Sequence, residues 1–247
     1  NFKILCLPLE MSFDQDVNSY SPEGRIYQIE YAMMATNHGV TTLAVTTNNS
    51  VIVISEKKLI SKLQVSKNTT KHFKIDKHIG MSFSGIMADA HVIIDKSRSL
   101  VYNYKNKYNE KLTIIGLLKG LSEQSLQFSE KDFSKRIFSR PFGVSVLIAS
   151  YENIPKLYIF DPSGSYIQYK AKSIGNASQV IDDELKIKYN QELSDKDAII
   201  SSLKILKEVM KEKMQKENIE IMVVDKNGVH FFTEEKVQEY ITVLGSK

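Results

Sequence analysis

The sequence predicts an α+β protein, a four-layer α/β/β/α sandwich in which two mainly antiparallel sheets lie between layers of helices. Strand-like and helix-like segments come in blocks instead of alternating one by one, which disfavours a doubly wound parallel sheet. The helical segments are amphipathic, and each needs a sheet face against which to bury its apolar stripe. No internal repeat and no linker rich in Pro, Gly or Ser divides the chain, so we expect a single domain after an N-terminal tail.

The first half of the chain is predicted to fold as a helix, a block of strands and a pair of helices. Apolar residues recur at threes and fours over residues 25–35, which indicates a helix. Ser-Pro-Glu-Gly at 21–24 is predicted either as a turn or as the entry to this helix, with Ser21 as its N-cap and Pro22 at its first position. Four strands are predicted over residues 41–47, 51–55, 73–75 and 79–83. The apolar period then changes to that of a helix, over residues 86–104 and 112–128.

The second half repeats this order of strands followed by helices. Three strands are predicted over residues 144–150, 156–160 and 166–169. The last two are joined by Asp-Pro-Ser-Gly at 161–164, a turn in which Pro presets φ and Gly permits a positive φ. Two helices follow over residues 177–189 and 195–214, the second with Ser194 as its N-cap. The remaining predictions are strands over 219–224 and 230–232, joined by an Asn-Gly turn, and a helix from Glu234.

Length, charge and cysteine content exclude several classes of protein. The chain has 247 residues, enough for a large core without disulfides. Its 33 Lys and Arg against 29 Asp and Glu give a net charge of only +4, without a cationic cluster, which disfavours nucleic-acid binding. The single cysteine, Cys6, fits a reducing compartment, and no apolar run reaches the ~18 residues of a membrane span. Residues 1–9 contain Pro8 and lack a small-residue cleavage site, so we expect no signal peptide.

The common active-site patterns are missing from the sequence. It holds no Gly-x-Ser-x-Gly, phosphate-loop, Gly-x-Gly-x-x-Gly, His-Glu-x-x-His or Cys-x-x-Cys motif. No two of the five histidines have the i, i+4 spacing that places two metal ligands on one helix face, so we expect structural roles for them. Asp89 and Asp95 lie six residues apart on a predicted helix, and capping or ion pairing is expected of both. Neither a metal site nor a cofactor is predicted.

The densest unusual segment covers residues 20–32, which read YSPEGRIYQIEYA. Three Tyr, an Arg, a Gln and a Glu make it more polar and aromatic than a helix that only covers a sheet. Tyr and Arg are enriched where proteins dock onto one another. From the residues alone, an amphipathic covering helix and a protein interface both remain open.

This segment resembles the N-terminal signature of proteasome alpha-type subunits. The resemblance spans nearly all of residues 13–240, through IGMSFSGIMADAHVIIDKSR at 79–98, SRPFGV at 139–144, DPSG at 161–164, IGNAS at 174–178 and SSLKILKEVMKEK at 201–213. The family has the N-terminal nucleophile hydrolase fold, two antiparallel sheets between helix layers, which agrees with the predicted order of elements. The resemblance implies no metal and no cofactor.

The resemblance also implies a subunit without catalytic activity. In the related beta-type subunits an N-terminal threonine attacks the peptide bond, and its own free amine acts as the base. Here Val40 stands where that threonine would be exposed by a cut after Gly39. The assisting lysine would fall near Thr70, and its acidic partner near Glu56. Because two of the three roles are unfilled, an active N-terminal nucleophile hydrolase is the disfavoured alternative.

The family's alpha subunits form a seven-membered outer ring of the 20S core particle, whose N-terminal tails close the substrate pore. By resemblance, residues 1–21 are a partly flexible gate tail and residues 22–247 are the ring domain. The family's gate cluster of Tyr, Asp, Pro and Tyr matches Phe13, Asp14, Pro22 and Tyr31. This chain departs from the pattern because Phe13 lacks the hydroxyl group and Gln15 replaces the usual arginine. The ring interface is expected at Tyr20, Arg25, Tyr27, Gln28 and Glu30.

A pocket between adjacent alpha subunits receives the C-termini of activator proteins in this family. Its lysine matches Lys71, which would pair with the terminal carboxylate. The same pocket would be lined by Gly39, Gly85 and Ile86.

The resemblance implies protein partners only. These are other alpha subunits, beta subunits, the C-termini of regulatory particles or activators, and unfolded polypeptide substrates, with no nucleic acid and no membrane. The expected function is ring assembly, gating of substrate entry and docking of regulatory particles for ubiquitin-dependent protein degradation. The expected location is the cytoplasm and the nucleus.

Overall fold

The computed structural model describes residues 17, 19–58, 63–64, 70–129, 138–210 and 213–245. The helices are α1 (Tyr27–Asn37), α2 (Met87–Tyr108), α3 (Ile114–Ser125), α4 (Ser178–Lys188), α5 (Asp195–Val209) and α6 (Glu234–Gly245), with a 3₁₀ turn at Leu126–Ser129. The strands of the first block are β1 (Thr42–Thr46), β2 (Ser50–Glu56), β3 (His72–Asp76) and β4 (Ile79–Gly85). The later strands are β5 (Val144–Glu152), β6 (Ile154–Phe160), β7 (Tyr166–Tyr169), β8 (Ala171–Ile174), β9 (Ile219–Asp225) and β10 (Gly228–Phe231).

Two five-stranded antiparallel sheets form the centre of the molecule. The first sheet has the order β10-β9-β2-β1-β8, and the second has the order β3-β4-β5-β6-β7. Both sheets therefore combine strands from distant parts of the chain. In the part of the chain that the structure describes, no helix is both long and apolar enough to cross a bilayer.

Alternating residues of each strand face two different apolar layers. In β4, Met81 and Phe83 pack under α2 and α3, whereas the backbone of Gly80 faces the other sheet, where an added Cβ would lie 2.7 Å from Met222 Sδ. Apolar residues of both sheets meet in the middle layer, and α4, α5 and α6 cover the outer face of the first sheet. This period of two confirms the predicted four-layer α/β/β/α sandwich.

One strand escaped the sequence analysis. The short strand β8 pairs with β1 in the first sheet, although β7, immediately before it, belongs to the second sheet. The middle block of strands therefore has four members instead of the three predicted. β8 reads AKSI, which is four residues at a sheet edge without an alternating apolar pattern, so periodicity gives almost no signal for it.

The structure decides between the two interpretations of residues 21–24 in favour of the turn. Ser21 Oγ accepts a hydrogen bond from the Arg25 N–H at 3.1 Å, and the Gly24 N–H donates to the Ser21 carbonyl at 2.8 Å. These bonds close a separate turn that contains Pro22, and α1 begins later, after Ile26 in an extended conformation. Turn and helix N-terminus share the same residue preferences, so the pattern alone does not separate them.

Two other local predictions are confirmed, and the end of α5 was predicted too late. Ser194 caps α5, because its hydroxyl oxygen accepts the Asp197 N–H at 3.2 Å. The helix ends at Val209, earlier than predicted, where Met210 adopts an extended conformation. Asp95 forms an ion pair with Arg98 at 3.7 Å on the same helix.

A buried polar cluster joins the two sheets at one end of the middle layer. Ser55 Oγ lies 2.8 Å from Thr42 Oγ1, 2.7 Å from His72 Nε2 and 3.1 Å from Ser82 Oγ. Thr42 and Ser55 belong to the first sheet, whereas His72 and Ser82 belong to the second. Burial, followed by the nearby charge of Lys57, lowers the pKa of His72 to about 3. This histidine is therefore neutral in the folded protein at physiological pH.

We predict that His72 makes the fold acid-sensitive. Its pKa is about 6.5 in the unfolded chain and about 3 in the folded one, so the unfolded state binds the extra proton between these values. The free energy of unfolding is highest above pH 6.5 and falls as the pH drops towards 3, by about 2 kcal/mol between pH 7.5 and pH 5. Chemical denaturation at several pH values measures this loss.

The variant His72→Gln keeps a polar side chain that cannot titrate, so its free energy of unfolding should fall less over the same pH range. His38→Gln is the matched control, because His38 is exposed at the end of α1. Equal pH dependence in wild type and His72→Gln would contradict the assignment.

Candidate functional site

The end of α1 packs against the end of β4 through backbone atoms, because Gly39 and Gly85 carry no side chains. A Cβ atom at Gly39 would overlap the backbone nitrogen of Gly85 and the hydroxyl group of Ser84. Ser84 Oγ donates a hydrogen bond to the Thr36 carbonyl at 3.1 Å, and the Asn176 N–H donates to the Gly39 carbonyl at 3.0 Å. Any side chain at Gly39 would push these elements apart, so glycine fixes where the helix ends.

Gly85 turns the chain sharply from β4 into α2. Its φ is +121°, a conformation that side-chain-bearing residues rarely adopt, and a Cβ there would overlap the Gly143 carbonyl oxygen. The same carbonyl accepts the Ile86 N–H at 2.9 Å. Ile86 then precedes α2 with its side chain 40% exposed. Gly39, Gly85 and Ile86 therefore lie together; that they line one pocket stays a prediction.

Asp89, in the first turn of α2, holds residues 140–143 against the turn from β4 into α2. Its carboxylate accepts two hydrogen bonds from the Arg140 guanidinium, at 2.7 and 2.9 Å, and a third from the Gly143 N–H at 2.8 Å. This confirms the predicted ion pairing of Asp89. These bonds fix residues 140–143, which contact Gly85 and Ile86. The segment is therefore held by charge as well as by close packing.

Lys71 immediately precedes β3, beside the strand that leads to Gly85. The residue is only 6% exposed, and its Nζ atom lies 4.6 Å from the centroid of the Phe83 ring. Burial lowers the pKa of Lys71, and the negative charge of Glu220 acts in the opposite direction. An ammonium group that has lost its hydration over an aromatic face is stabilised by a nearby negative charge.

The sequence analysis missed the two charged neighbours of this lysine. One carboxylate oxygen of Glu220 accepts the Lys71 N–H at 2.6 Å, and the other lies 3.6 Å from Lys57 Nζ. Burial raises the pKa of Glu220, whereas both lysines act to keep its carboxylate charged. By the alternation of the strand, Glu220 shares the face of β9 that carries Met222 into the middle layer. The one sequence signal for this contact was a glutamate at a position of β9 that faces the middle layer.

The signature segment is ordered by a cluster of its own side chains. The Arg25 Nε donates to Glu30 at 2.6 Å, and its guanidinium lies 5.6 Å from the Tyr27 ring centroid. The Tyr27 and Tyr31 rings stack with centroids 6.3 Å apart. The hydrogen bond and the charge of Arg25 lower the pKa of Glu30. This pairing shapes an exposed surface at the start of α1, next to Tyr20, which is 68% exposed.

The structure covers half of the predicted gate cluster. Pro22 lies in the exposed turn before α1, and Tyr31 lies on α1 with its ring partly exposed. Phe13 and Asp14, together with Gln15, lie outside the described residues. Gln28, expected at the ring interface, is half-buried on the same helix.

The residues at the expected nucleophile position support no peptide hydrolysis. Val40 is half-buried and lines a cavity of about 180 Å³ together with Thr41 and Glu56. Its side chain carries no nucleophile. Thr70, where the assisting lysine would fall, lines another cavity with Lys57. Without a nucleophile and its lysine, the arrangement offers no route to an acyl intermediate.

Two family models match the chain. The model for the proteasome subunit as a whole matches residues 36–224, and the model for the N-terminal signature of A-type proteasome subunits matches residues 13–35. The second match contains the whole of the segment 20–32 that was singled out from its tyrosines and charges.

Curated relatives agree with both matches. The chain is 46% identical to a probable proteasome subunit alpha type-5 of Encephalitozoon cuniculi, over 93% of this chain and 99% of the relative. It is 38% identical to a probable proteasome subunit alpha type-5 of Schizosaccharomyces pombe, over 93% and 94% of the two chains. It is also 38% identical to the proteasome subunit alpha type-5 of Caenorhabditis elegans, over 86% of both chains. From its sandwich fold, its signature segment and these relatives, the chain belongs to the proteasome alpha-subunit family.

Proposed function

We propose that this chain serves as the alpha type-5 subunit of a proteasome. It is a non-catalytic structural subunit of the outer alpha ring of the 20S core particle, and it assembles with other proteasome subunits. The single observation that carries this conclusion is the signature match at residues 13–35 in a chain aligned with alpha type-5 relatives over most of its length. Val40, at the position of the beta-type nucleophile, supports the absence of catalysis.

The proposed ring interface is the exposed surface at the start of α1. Tyr20 and the aliphatic part of Arg25 offer contact area, while the ion pair between Arg25 and Glu30 holds the surface in one shape before binding. Pre-ordered aromatic and Arg side chains lose little entropy on association, which suits an interface. We propose that Tyr27 and Gln28 complete this contact with a neighbouring alpha subunit.

The proposed gate consists of Phe13, Asp14, Pro22 and Tyr31, with the chain before Pro22 as the tail. Pro22 and Tyr31 lie next to the proposed ring interface, which supports a link between the tail and the neighbouring subunit. Phe13 lacks the hydroxyl group of the family pattern. Either this hydrogen bond is missing from the gate or a neighbouring subunit supplies it.

Lys71 is the proposed receptor for the C-terminal carboxylate of a regulatory particle or activator. Its buried ammonium group is held over Phe83, and the strand that carries Phe83 continues to Gly85 and Ile86. Gly39 packs on Gly85, so these residues are proposed to line one pocket. A carboxylate at Lys71 would form a charge-assisted hydrogen bond in a site with little competing water.

The proposed wider role of the chain depends on its place in the proteasome particle. Opening of the gate would admit unfolded polypeptides to the beta subunits for ubiquitin-dependent degradation. We propose that the chain acts in the cytoplasm and the nucleus as part of this particle.

Lys71→Ala tests the docking site. We expect cross-linking of an activator's C-terminus to this subunit to need an activator concentration about tenfold higher or more, because a charged hydrogen bond is lost. Assembly of the ring should be unchanged on native gels. Lys74→Ala is the matched control, since Lys74 is exposed and lies three residues from Lys71. A Lys71→Ala particle that docks activators normally would exclude this role.

Tyr31→Phe tests the gate. Loss of the hydroxyl group should destabilise the open gate and lower activator-stimulated hydrolysis of small peptides by roughly twofold or more, the effect of one hydrogen bond. The reference variant is Tyr102→Phe, at an exposed position on α2. Unchanged hydrolysis in Tyr31→Phe particles that assemble fully would remove Tyr31 from the gate.

A further inference from the structure

We infer that Glu220 is a positioning residue for the anion receptor at Lys71, which it holds in place and for which it supplies the buried counter-charge. This inference rests on the proposed function, because it assumes that Lys71 binds a carboxylate. Glu220 lies in β9, almost 150 residues from Lys71 along the chain, and neither family match assigns it a role.

Both carboxylate oxygens of Glu220 are engaged by different parts of the chain. One accepts the Lys71 N–H at 2.6 Å, and the other lies 3.6 Å from Lys57 Nζ. Lys57 follows β2 of the first sheet, and Lys71 precedes β3 of the second sheet. Glu220 therefore fixes the point at which the chain passes from one sheet to the other, and with it the direction in which the Lys71 side chain leaves the backbone.

The charges around Glu220 give it a second effect. Lys57 and Lys71 are both buried; the Glu220 carboxylate lies 3.6 Å from Lys57 Nζ, and its negative charge opposes the effect of burial on the pKa of Lys71. His72, next in the chain, is neutral and contributes no positive charge at physiological pH. Other charged groups that line the cavity beside Glu220 are Lys216, Glu234 and Glu235.

The consequence concerns the ammonium group of Lys71. Burial lowers the pKa of Lys71, and Glu220 is the charged neighbour that opposes this change. An anion receptor must be protonated to bind. Removal of the Glu220 charge should therefore bring the loss of binding at alkaline pH to a lower pH, while binding well below that pH stays nearly the same.

The test uses intact core particles that contain this chain, wild type or Glu220→Gln. The probe is a short photo-cross-linkable peptide with the C-terminal sequence of an activator and a free carboxylate, compared with the same peptide amidated at its C-terminus. Cross-links to this chain, measured against peptide concentration from about pH 6 to about pH 10, span the range in which a buried lysine titrates and give the affinity of its own pocket. Glu217→Gln is the matched control, because it removes the same charge three residues away, where Glu217 lies 3.9 Å from Lys216.

For Glu220→Gln we expect the alkaline loss of binding to move to lower pH, so that binding is weaker than in the wild type above the transition and nearly unchanged well below it. Glu217→Gln should keep the wild-type profile. Equal weakening at every pH would overturn the inference, because the amide oxygen in Glu220→Gln can still accept the Lys71 N–H, so that only the effect of the charge on Lys71 should be lost. A wild-type profile for Glu220→Gln would overturn it as well.

Two results separate this inference from the proposed function. If Lys71→Ala particles still prefer the free carboxylate over the amide, the docking role of Lys71 is wrong. If that preference is lost but Glu220→Gln retains the wild-type profile, only the inference about Glu220 is wrong.

Should Glu220→Gln fail to assemble, Glu220→Asp and Lys71→Arg address the same question. Glu220→Asp keeps the charge and should keep the wild-type alkaline transition. Lys71→Arg carries a group that does not deprotonate in this range, so its alkaline transition should disappear. An alkaline transition that persists in Lys71→Arg would overturn the inference, because another group would then be titrating.

Discussion

At the end of α1 the backbone of Gly39 lies directly on the backbone of Gly85, and neither position has room for a Cβ atom. This contact sets the distance between the signature helix and the second sheet. It also places Ile86 at the start of α2, whose Asp89 then binds the segment containing Gly143. The exposed surface at the start of α1 and the proposed pocket at its end are consequently joined by this one helix.

Three charged side chains lie largely out of water near the start of β3. Removing Lys57, Lys71 and Glu220 from water is costly, and such groups contribute little to stability compared with apolar residues of similar size. Phe83 lies beneath the Lys71 ammonium group, and the Glu220 carboxylate pairs with Lys57 while it accepts the Lys71 N–H. This arrangement supports the proposal that an anion binds at Lys71. The strand start that would carry a nucleophile in a beta-type subunit holds Val40 instead. In this chain the sandwich thus forms a structural subunit.

The order of elements could be predicted because it depends on local periodicity. α5 was recognised from its apolar stripe and its Ser194 cap, and both signals lie within a few residues. β8 was missed because a four-residue edge strand has too few residues to show a period. The counter-charge at Lys71 could not be predicted, because Glu220 reaches it only through the pairing of β9 with β2. The carboxylate-binding role of Lys71 came from family resemblance, since a lysine before a strand carries no such signal of its own.

The central claim is that this chain is a non-catalytic subunit of the alpha ring. Native mass spectrometry of the tagged chain, purified from its own cells, tests it most directly when combined with the intact mass of the released subunit. The account predicts a large particle with other alpha and beta subunits, in which residues 11–247 of this chain remain uncut. A small free species, trimmed to begin at a threonine, serine or cysteine, would contradict it and restore the hydrolase alternative.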